Sequence, residues 1–369
     1  MDNKVPLDTF NNLYIFAIGK AAFDMAKESE KILKEHITSG VVISNSNEKL
    51  KQLKNYKSSH PILTQKSIKS ANHLIKQMKR LDKNDFYIFL LSGGASAMCE
   101  RPIDGLNLKD FKRISKALIG SGIDIKALNS VRKSLSKIKG GKLANMTQAK
   151  GITLVLSDVI GDELNTIGSA PMNNNKVPHY IIGNNKIALE AAKKQIYNDV
   201  EKVKVLTTSF ALKSKDASKY ITKKIKQYDK KYDSFCLLIG GETRSKIKGT
   251  GIGGRNQELA LRLVLEKCIT KDISILCAGS DGIDGNSNST GAFLDFNIYE
   301  KIKSKKLEAK RYLQNSDSNR FFKKLGYDFT IGLTGTNVMD FIIILKTKKR
   351  INNGRFFSKW NYNYPTKCI

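Results

Sequence analysis

The chain has 369 residues, 40% of them hydrophobic and 27% charged, which suits two ordinary globular domains and excludes a collagenous, disordered or disulfide-scaffold protein. No apolar run is long enough to span a bilayer and the first residues, MDNKVPLDTFNN, hold no signal-peptide core, so a cytoplasmic protein with no membrane partner is expected. The net charge of +30, from 64 basic and 34 acidic residues, draws small anions; the lysines are spread over the whole chain and no nucleic-acid module is visible, so no nucleic acid is expected.

Short β-rich runs alternate with helical ones. Leu13–Ile18 reads as a strand and Ala21–Leu33 as a helix with Ala22, Met25, Ala26 and Leu33 on one face. Val41–Ser44 is a short strand, Ile68–Leu81 a helix and Phe86–Leu91 a buried strand. Leu108–Ile119 and Ile125–Leu143 look helical. Then come a strand at Ile152–Leu156, a helix at Lys186–Tyr197, a strand at Val203–Thr207 and a helix at Ala217–Tyr228. A second block opens near Ser234 with a strand at Phe235–Ile239, a helix at Asn256–Lys267, and strands at Ile273–Cys277 and Val338–Leu345. This alternation predicts an α/β fold of two domains, residues 1–230 and 234–346, with mostly parallel, doubly wound sheets. Residues 347–369 form a basic, aromatic tail holding the single tryptophan, Trp360.

In open parallel sheets ligands bind beyond the carboxyl ends of strands. Each strand here delivers small residues and a polar or charged one to that edge: Gly19-Lys20, Ser92-Gly93-Gly94-Ala95-Ser96, Ser157-Asp158 with Gly161-Asp162, Gly240-Gly241-Glu242, and Gly279-Ser280-Asp281. Lys20 and Arg255 both stand at the start of a helix, where a cation is disfavoured by about 0.3–1 kcal/mol. An anion lying between cation and helix end reverses the sign, since one contact at about 4 Å and an effective dielectric of about 20 is worth about 4 kcal/mol before desolvation.

The stretch GTGIGGRNQELALRL, residues 249–263, carries the pattern G-x-G-x-x-G. A dinucleotide fold also wants an acidic residue about 20 positions on, at the end of the next strand. Asp272 stands before its strand, Asp281 comes late, and Arg244–Gly249 does not read as a strand. A phosphate- or carboxylate-binding turn is the better reading. The carboxylates Asp158, Asp162, Glu242, Asp281 and Asp284 could hold Mg²⁺ or accept a proton from an attacking hydroxyl, or serve as caps and turn formers. Five cysteines (Cys99, Cys236, Cys268, Cys277, Cys368) include no C-x-x-C and the four histidines have no metal spacing, so neither a disulfide framework nor a zinc site is expected.

A set of longer stretches resembles the class II glycerate 2-kinases, whose second domain is called MOFRL: AIGKAAFDMA (17–26), LLSGGASAM (90–98), LNSVRKSLSKIKGGKLA (128–144), LSDVIGD (156–162), GGETR (240–244), GTGIGGRNQELAL (249–261), GSDGIDG (279–285) and TGTNVMDF (334–341). The resemblance implies a site in the cleft between two α/β domains and transfer of phosphate from ATP, with Mg²⁺, to the 2-hydroxyl of D-glycerate. It implies that Lys20, Arg255, Asp158 and Asp162 are catalytic. Ser92, Gly93, Gly94, Ser96, Asn129, Arg132, Lys139, Gly253, Gly254 and Asn256 are expected to bind phosphate or substrate, and Glu242 and Asp281 the metal. The partner is a small hydroxyacid, and the enzyme a monomer or homodimer. Ala95 stands where the family pattern SGGGSA has glycine, a replacement that matters if that position needs φ > 0. The alternatives are an NAD(P)-dependent hydroxypyruvate reductase and an inactive paralogue that binds an anionic ligand.

Overall fold

The computed structural model describes residues 5–120 and 125–347, and the chain divides into two compact units, one of residues 1–185 with 334–339 and one of residues 186–333 with 340–369. The basic, aromatic tail expected at 347–369 lies outside the described residues beyond its first position.

The first unit is a six-stranded sheet in the order β3-β2-β1-β4-β5-β6. Its strands are β1 (Leu13–Ile18), β2 (Ile37–Ser44), β3 (Lys54–Lys57), β4 (Phe86–Ser92), β5 (Lys150–Leu156) and β6 (His179–Gly183), and every pairing is parallel. The helices are α1 (Ala22–Leu33), α2 (Gln65–Met78), α3 (Ala95–Met98), α4 (Leu108–Gly120) and α5 (Ile125–Ser134). The central strands are apolar at almost every position because both faces are covered. In β1, Leu13, Ile15 and Ala17 pack with Ala22 and Ala26 of α1, whereas Phe16 and Ile18 pack with Ala71, Leu74 and Met78 of α2 on the other face.

In this unit both ends of α2 and the end of α5 depart from the sequence pattern. α2 starts three residues before Ile68: Thr64 accepts the N–H of Lys66, and Ser67 Oγ accepts the N–H of Thr64, a capping box closed by serine instead of Glu or Gln. α5 ends at Ser134 and does not run on to Leu143. Gly140 and Gly141 take φ of 64° and 81°, and the Lys142 ammonium caps the helix end through the carbonyls of Lys133 and Ser136, at 2.8 and 2.6 Å.

The second unit opens with α6 (Asn185–Ile196), then β7 (Lys202–Phe210), α7 (Ser214–Asp229), β8 (Phe235–Gly241), α8 (Arg255–Leu265), β9 (Ile273–Gly279), β10 (Gly291–Leu294), α9 (Ile298–Ser304), α10 (Ala309–Gln314), α11 (Ser318–Leu325), β11 (Asp328–Phe329) and β12 (Asp340–Lys346). The sheet order is β11-β10-β9-β12-β8-β7. Mostly parallel pairing holds for the chain as a whole, and the antiparallel pairs all fall in this sheet. β12 follows a loop, not a crossover helix, and runs antiparallel to both β8 and β9. Phe235, Leu237 and Ile239 of β8 face a core with α7 and α8, while Cys236 and Leu238 face Leu189 and Ile196 of α6. The expected boundary between residues 230 and 234 moves to 185/186, because β7 pairs with β8 and so brings α6 and α7 into the second sheet. No helix among the described residues is long and apolar enough to cross a membrane.

Candidate active site

The first unit's strand order reverses between β1 and β4, the crevice where doubly wound sheets bind ligands. The turns after these two strands are built against each other. Gly19 has φ 131°, and a Cβ there would lie 2.2 Å from Ser92 Oγ. That hydroxyl, fully buried, accepts the N–H of Ala21 at 3.1 Å, and the Lys20 N–H donates to the Gly93 carbonyl at 2.8 Å. Gly94, at φ 84°, would place a Cβ 3.0 Å from the His60 ring and 3.1 Å from Lys20 Cγ. Gly93 has the Asp158 carboxylate, from the end of β5, against its Cα: a Cβ would fall 1.7 Å from Oδ2. Lys20, Ser92, Gly93, Gly94 and Asp158 are therefore one cluster, with the exposed His60 at its edge.

Ala95 settles into this turn without strain. It is the first residue of α3, its φ is not positive, and its buried methyl joins the core beside Leu91. Gly94 alone takes the left-handed conformation. The N–H groups of Gly94, Ala95 and Ser96 meet no acceptor among the described residues, so three donors stand open just beyond β4.

Several expected ligands of this unit serve instead as supports. Lys139 is 1% exposed and its ammonium forms a buried ion pair with Glu100 while donating to the Ser96 carbonyl at 3.1 Å. Glu100 also accepts from Ser136 Oγ at 2.6 Å. Burial pushes the Lys139 ammonium below the usual lysine range, and Glu100 pulls it back. This lysine braces the turn from inside. Ser92 likewise spends its hydroxyl on Ala21, and Ser96 Oγ pairs with Ser169 Oγ. Asn129 and Arg132 share a face of α5 by their spacing; Arg132 Nε is buried without a hydrogen-bond partner. Asp162, at φ 55°, accepts from Asn184 Nδ2 at 2.6 Å, one strand away from the Gly93 turn.

In the second unit Arg255 is the first residue of α8. Its Nε and Nη2 hold the buried Asp340 as a two-pronged pair, and Nη2 also donates to Glu242 Oε1 at 2.8 Å. The paired carboxylates raise the guanidinium pKa further, against a lowering by burial. Nη1 donates to no acceptor among the described residues. The anion at the amino end of α8 is internal: Asp284, 1% exposed, accepts the N–H groups of Asn256 and Gln257 at 3.0 and 2.8 Å. Burial pushes its carboxyl up to about 7, against the pull of those two N–H groups.

The glycine pattern is thereby explained. Cβ atoms at Gly249 and Gly251 would strike Asn315 and Asp317, one at Gly253 would strike Ser318, and one at Gly254 would lie 2.3 Å from Asp284 Oδ1. The loop donates to its own unit: Gly251 N–H to the Asn315 carbonyl, Ile252 N–H to Asp317 Oδ1, Gly253 N–H to Asn286 Oδ1. Of the residues expected to hold phosphate, Gly254 and Asn256 close on the protein's own Asp284 and the Gly253 N–H donates to the Asn286 amide oxygen, because the glycines let neighbouring loops approach that closely. A dinucleotide fingerprint needs the same approach for a pyrophosphate. Among the described residues no group of three or more His, Cys, Asp or Glu side chains could hold a metal ion.

Comparison with known proteins finds two family models in succession along the chain. A family model described as a domain of unknown function (DUF4147) matches residues 1–199, and that of the MOFRL family matches residues 235–340. A D-glycerate 2-kinase of Thermotoga maritima is 32% identical over 92% of this chain and 92% of its own length. The chain belongs to the glycerate 2-kinase family. A glycerate 2-kinase of Pyrococcus horikoshii is also 32% identical, over 92% of this chain and 88% of its own. The crystal structure of a Thermotoga maritima glycerate kinase superposes with a TM-score of 0.86, 31% identity and 93% coverage of each chain.

As a glycerate 2-kinase family member, the chain shows which parts of the site sequence reasoning missed. Asn337, from Thr334–Met339, donates through Nδ2 to Asp158 Oδ2 at 2.9 Å, and Asp340 organises Arg255. Both lie in the motif TGTNVMDF; the signal was an Asn just before the last strand and an Asp at its start.

Proposed function

We propose that the protein transfers the γ-phosphoryl group of ATP to the 2-hydroxyl of D-glycerate, giving 2-phosphoglycerate and ADP. The observation that carries this reading is the switch-point cluster, in which Lys20, the open N–H groups of Gly94–Ser96 and the Asp158 carboxylate gather at the ends of β1, β4 and β5. Phosphoryl transfer asks for these parts: backbone donors and a cation for phosphate oxygens, and a carboxylate for the hydroxyl proton. Similarity to D-glycerate 2-kinases over nine-tenths of the chain supplies the substrate.

The glycerate C2 oxygen attacks the γ-phosphorus, the bond from that phosphorus to the ADP oxygen breaks, and the hydroxyl proton passes to Asp158. Asp158 is preferred over Asp162 because it lies on Gly93 in the phosphate turn, whereas Asp162 is bonded to Asn184 farther along its loop. Lys20 neutralises phosphate charge. Arg255, oriented by Asp340 and Glu242, presents its Nη1 donors as the second unit's own group for a phosphate or carboxylate oxygen. Mg²⁺ bound with ATP would need only one or two protein carboxylates, which Glu242 and Asp281 would supply, and would neutralise phosphate charge. ADP release measured with D-glycerate, L-glycerate and hydroxypyruvate, with the phosphate position of the product read by NMR, tests the reading. Release with D-glycerate and a 2-phospho product are expected. No release, or a 3-phospho product, overturns it.

A further inference from the structure

We propose that Asn337 is a positioning residue that holds the Asp158 carboxylate ionised and correctly aimed; the inference rests on the reading of Asp158 as proton acceptor. Asn337 is 6% exposed and belongs to Thr334–Met339, the stretch in which the chain, after its long course through the second unit, rejoins the first. Its amide is engaged at both ends. Nδ2 donates to Asp158 Oδ2 at 2.9 Å, and Oδ1 accepts the Met339 N–H at 3.2 Å. Turning the amide over would set oxygen against a carboxylate oxygen and NH₂ against an N–H, so one orientation is enforced.

The segment is itself pinned along its length. Gly335, at φ 72°, lies against α1, where a Cβ would fall 2.2 Å from Asp24 Oδ2. The Val338 carbonyl accepts Asn185 Nδ2 at 2.9 Å, and Met339 takes the left-handed φ of 71°. Six residues held at three places, with a strained conformation at their end, present one neutral donor to one carboxylate. Such strain persists only where surrounding structure over-determines it.

A neutral donor on Oδ2 does two things for a general base. It stabilises the charged form, and it fixes the carboxylate plane so that the remaining lone pairs face the hydroxyl. The charged or titratable groups around Asp158 are Lys20 on the turn after β1, His60 beside Gly94, and Asp162 on its own loop. The Asn337 amide differs from all three in carrying no charge and no titratable proton.

The test uses full-length protein and three variants, each read by its pH profile of kcat and its KM for D-glycerate. Asn337→Ala removes the donor. Asn337→Asp is isosteric and keeps an oxygen for Met339, so it preserves the segment while replacing donor by acceptor. Both are expected to lower kcat about tenfold to a hundredfold with KM changed less than about threefold, and to move the acidic limb of kcat upward by about one pH unit or more. If Asn337→Ala fails to fold, Asn337→Asp carries the test alone. Folded variants with kcat within about twofold and an unmoved acidic limb overturn the proposal. Asp158→Asn separates the two readings. It should lose about 10²–10⁴ in kcat. If it stays active, the reading of Asp158 falls and this proposal with it; if it is inactive while the Asn337 variants are silent, only the role of Asn337 falls.

Discussion

The Arg255 guanidinium donates to two acids of its own unit, Asp340 and Glu242, and this decides what its replacement does. Arg255→Lys keeps a cation for the buried Asp340 but loses the planar fork that also reaches Glu242. We expect kcat to fall about 10²–10³-fold, the effect of losing one transition-state donor, with the variant still folded. Activity within about threefold of the parent would remove Arg255 from the mechanism. Arg255→Ala is the poorer probe, since a buried carboxylate left unpaired destabilises by about 3–5 kcal/mol. Asp284 gives a separate readout. Its carboxyl sits at about 7 in the folded chain and near 3.8 when exposed. Between those values the native state keeps a proton that the unfolded chain has released, so stability falls as pH rises from about 4 to about 7 and levels above. Asp340, also raised by burial, adds in the same direction. Melting temperature measured against pH should show this slope, and Asp284→Asn should flatten it; an unchanged slope in that variant would refute the assignment.

At the scale of elements, the β1 turn is the most demanding join in the first unit. Gly19→Ala combines a φ that L-residues rarely adopt with a Cβ that overlaps the Ser92 hydroxyl and carbonyl. We expect a loss of at least about 3 kcal/mol in urea unfolding, together with lost activity, since the β1 turn packs on the Ser92–Ser96 turn after β4. The central strands and most helices were legible in the sequence because burial on both faces leaves an unbroken apolar run. Leu13–Ile18 is read to the residue. The edges were not legible. β3 is KNYK, a lysine-bearing edge strand, and β11 has two residues; edge strands carry charge or stay short to avoid pairing with other chains. The places of Lys20 and Asp158 after strands, and of Arg255 at the start of a helix, could be read from the sequence. That Lys139 is a brace, and that Asp284 is the anion at α8, could not, because both depend on which loop reaches which turn in space. A lysine in a glycine-rich stretch reads the same whether it faces phosphate or a buried glutamate.

For the molecule as a whole, charge is the dominant property, with a net +30 over the full sequence. Both proposed substrates are anions, so their encounter with the protein is assisted at low salt and screened within a Debye length of about 8 Å at physiological ionic strength. KM for glycerate should rise as salt is raised from about 0.05 to about 0.5 M while kcat changes little. A KM independent of salt would mean that the surface lysines take no part in capture. The course of the chain carries a different consequence. β8 and β9 are not neighbours; β12 lies between them, paired antiparallel to each. While the ribosome is still translating, the second sheet can exist only as two fragments, β7 with β8 and β9 with β10 and β11, each with an open apolar border. Only when Asp340–Lys346 has left the exit tunnel can the two be sewn together. Vectorial synthesis therefore leaves this sheet unfinished until β12 has emerged, with its open borders exposed to pairing with another molecule in the meantime.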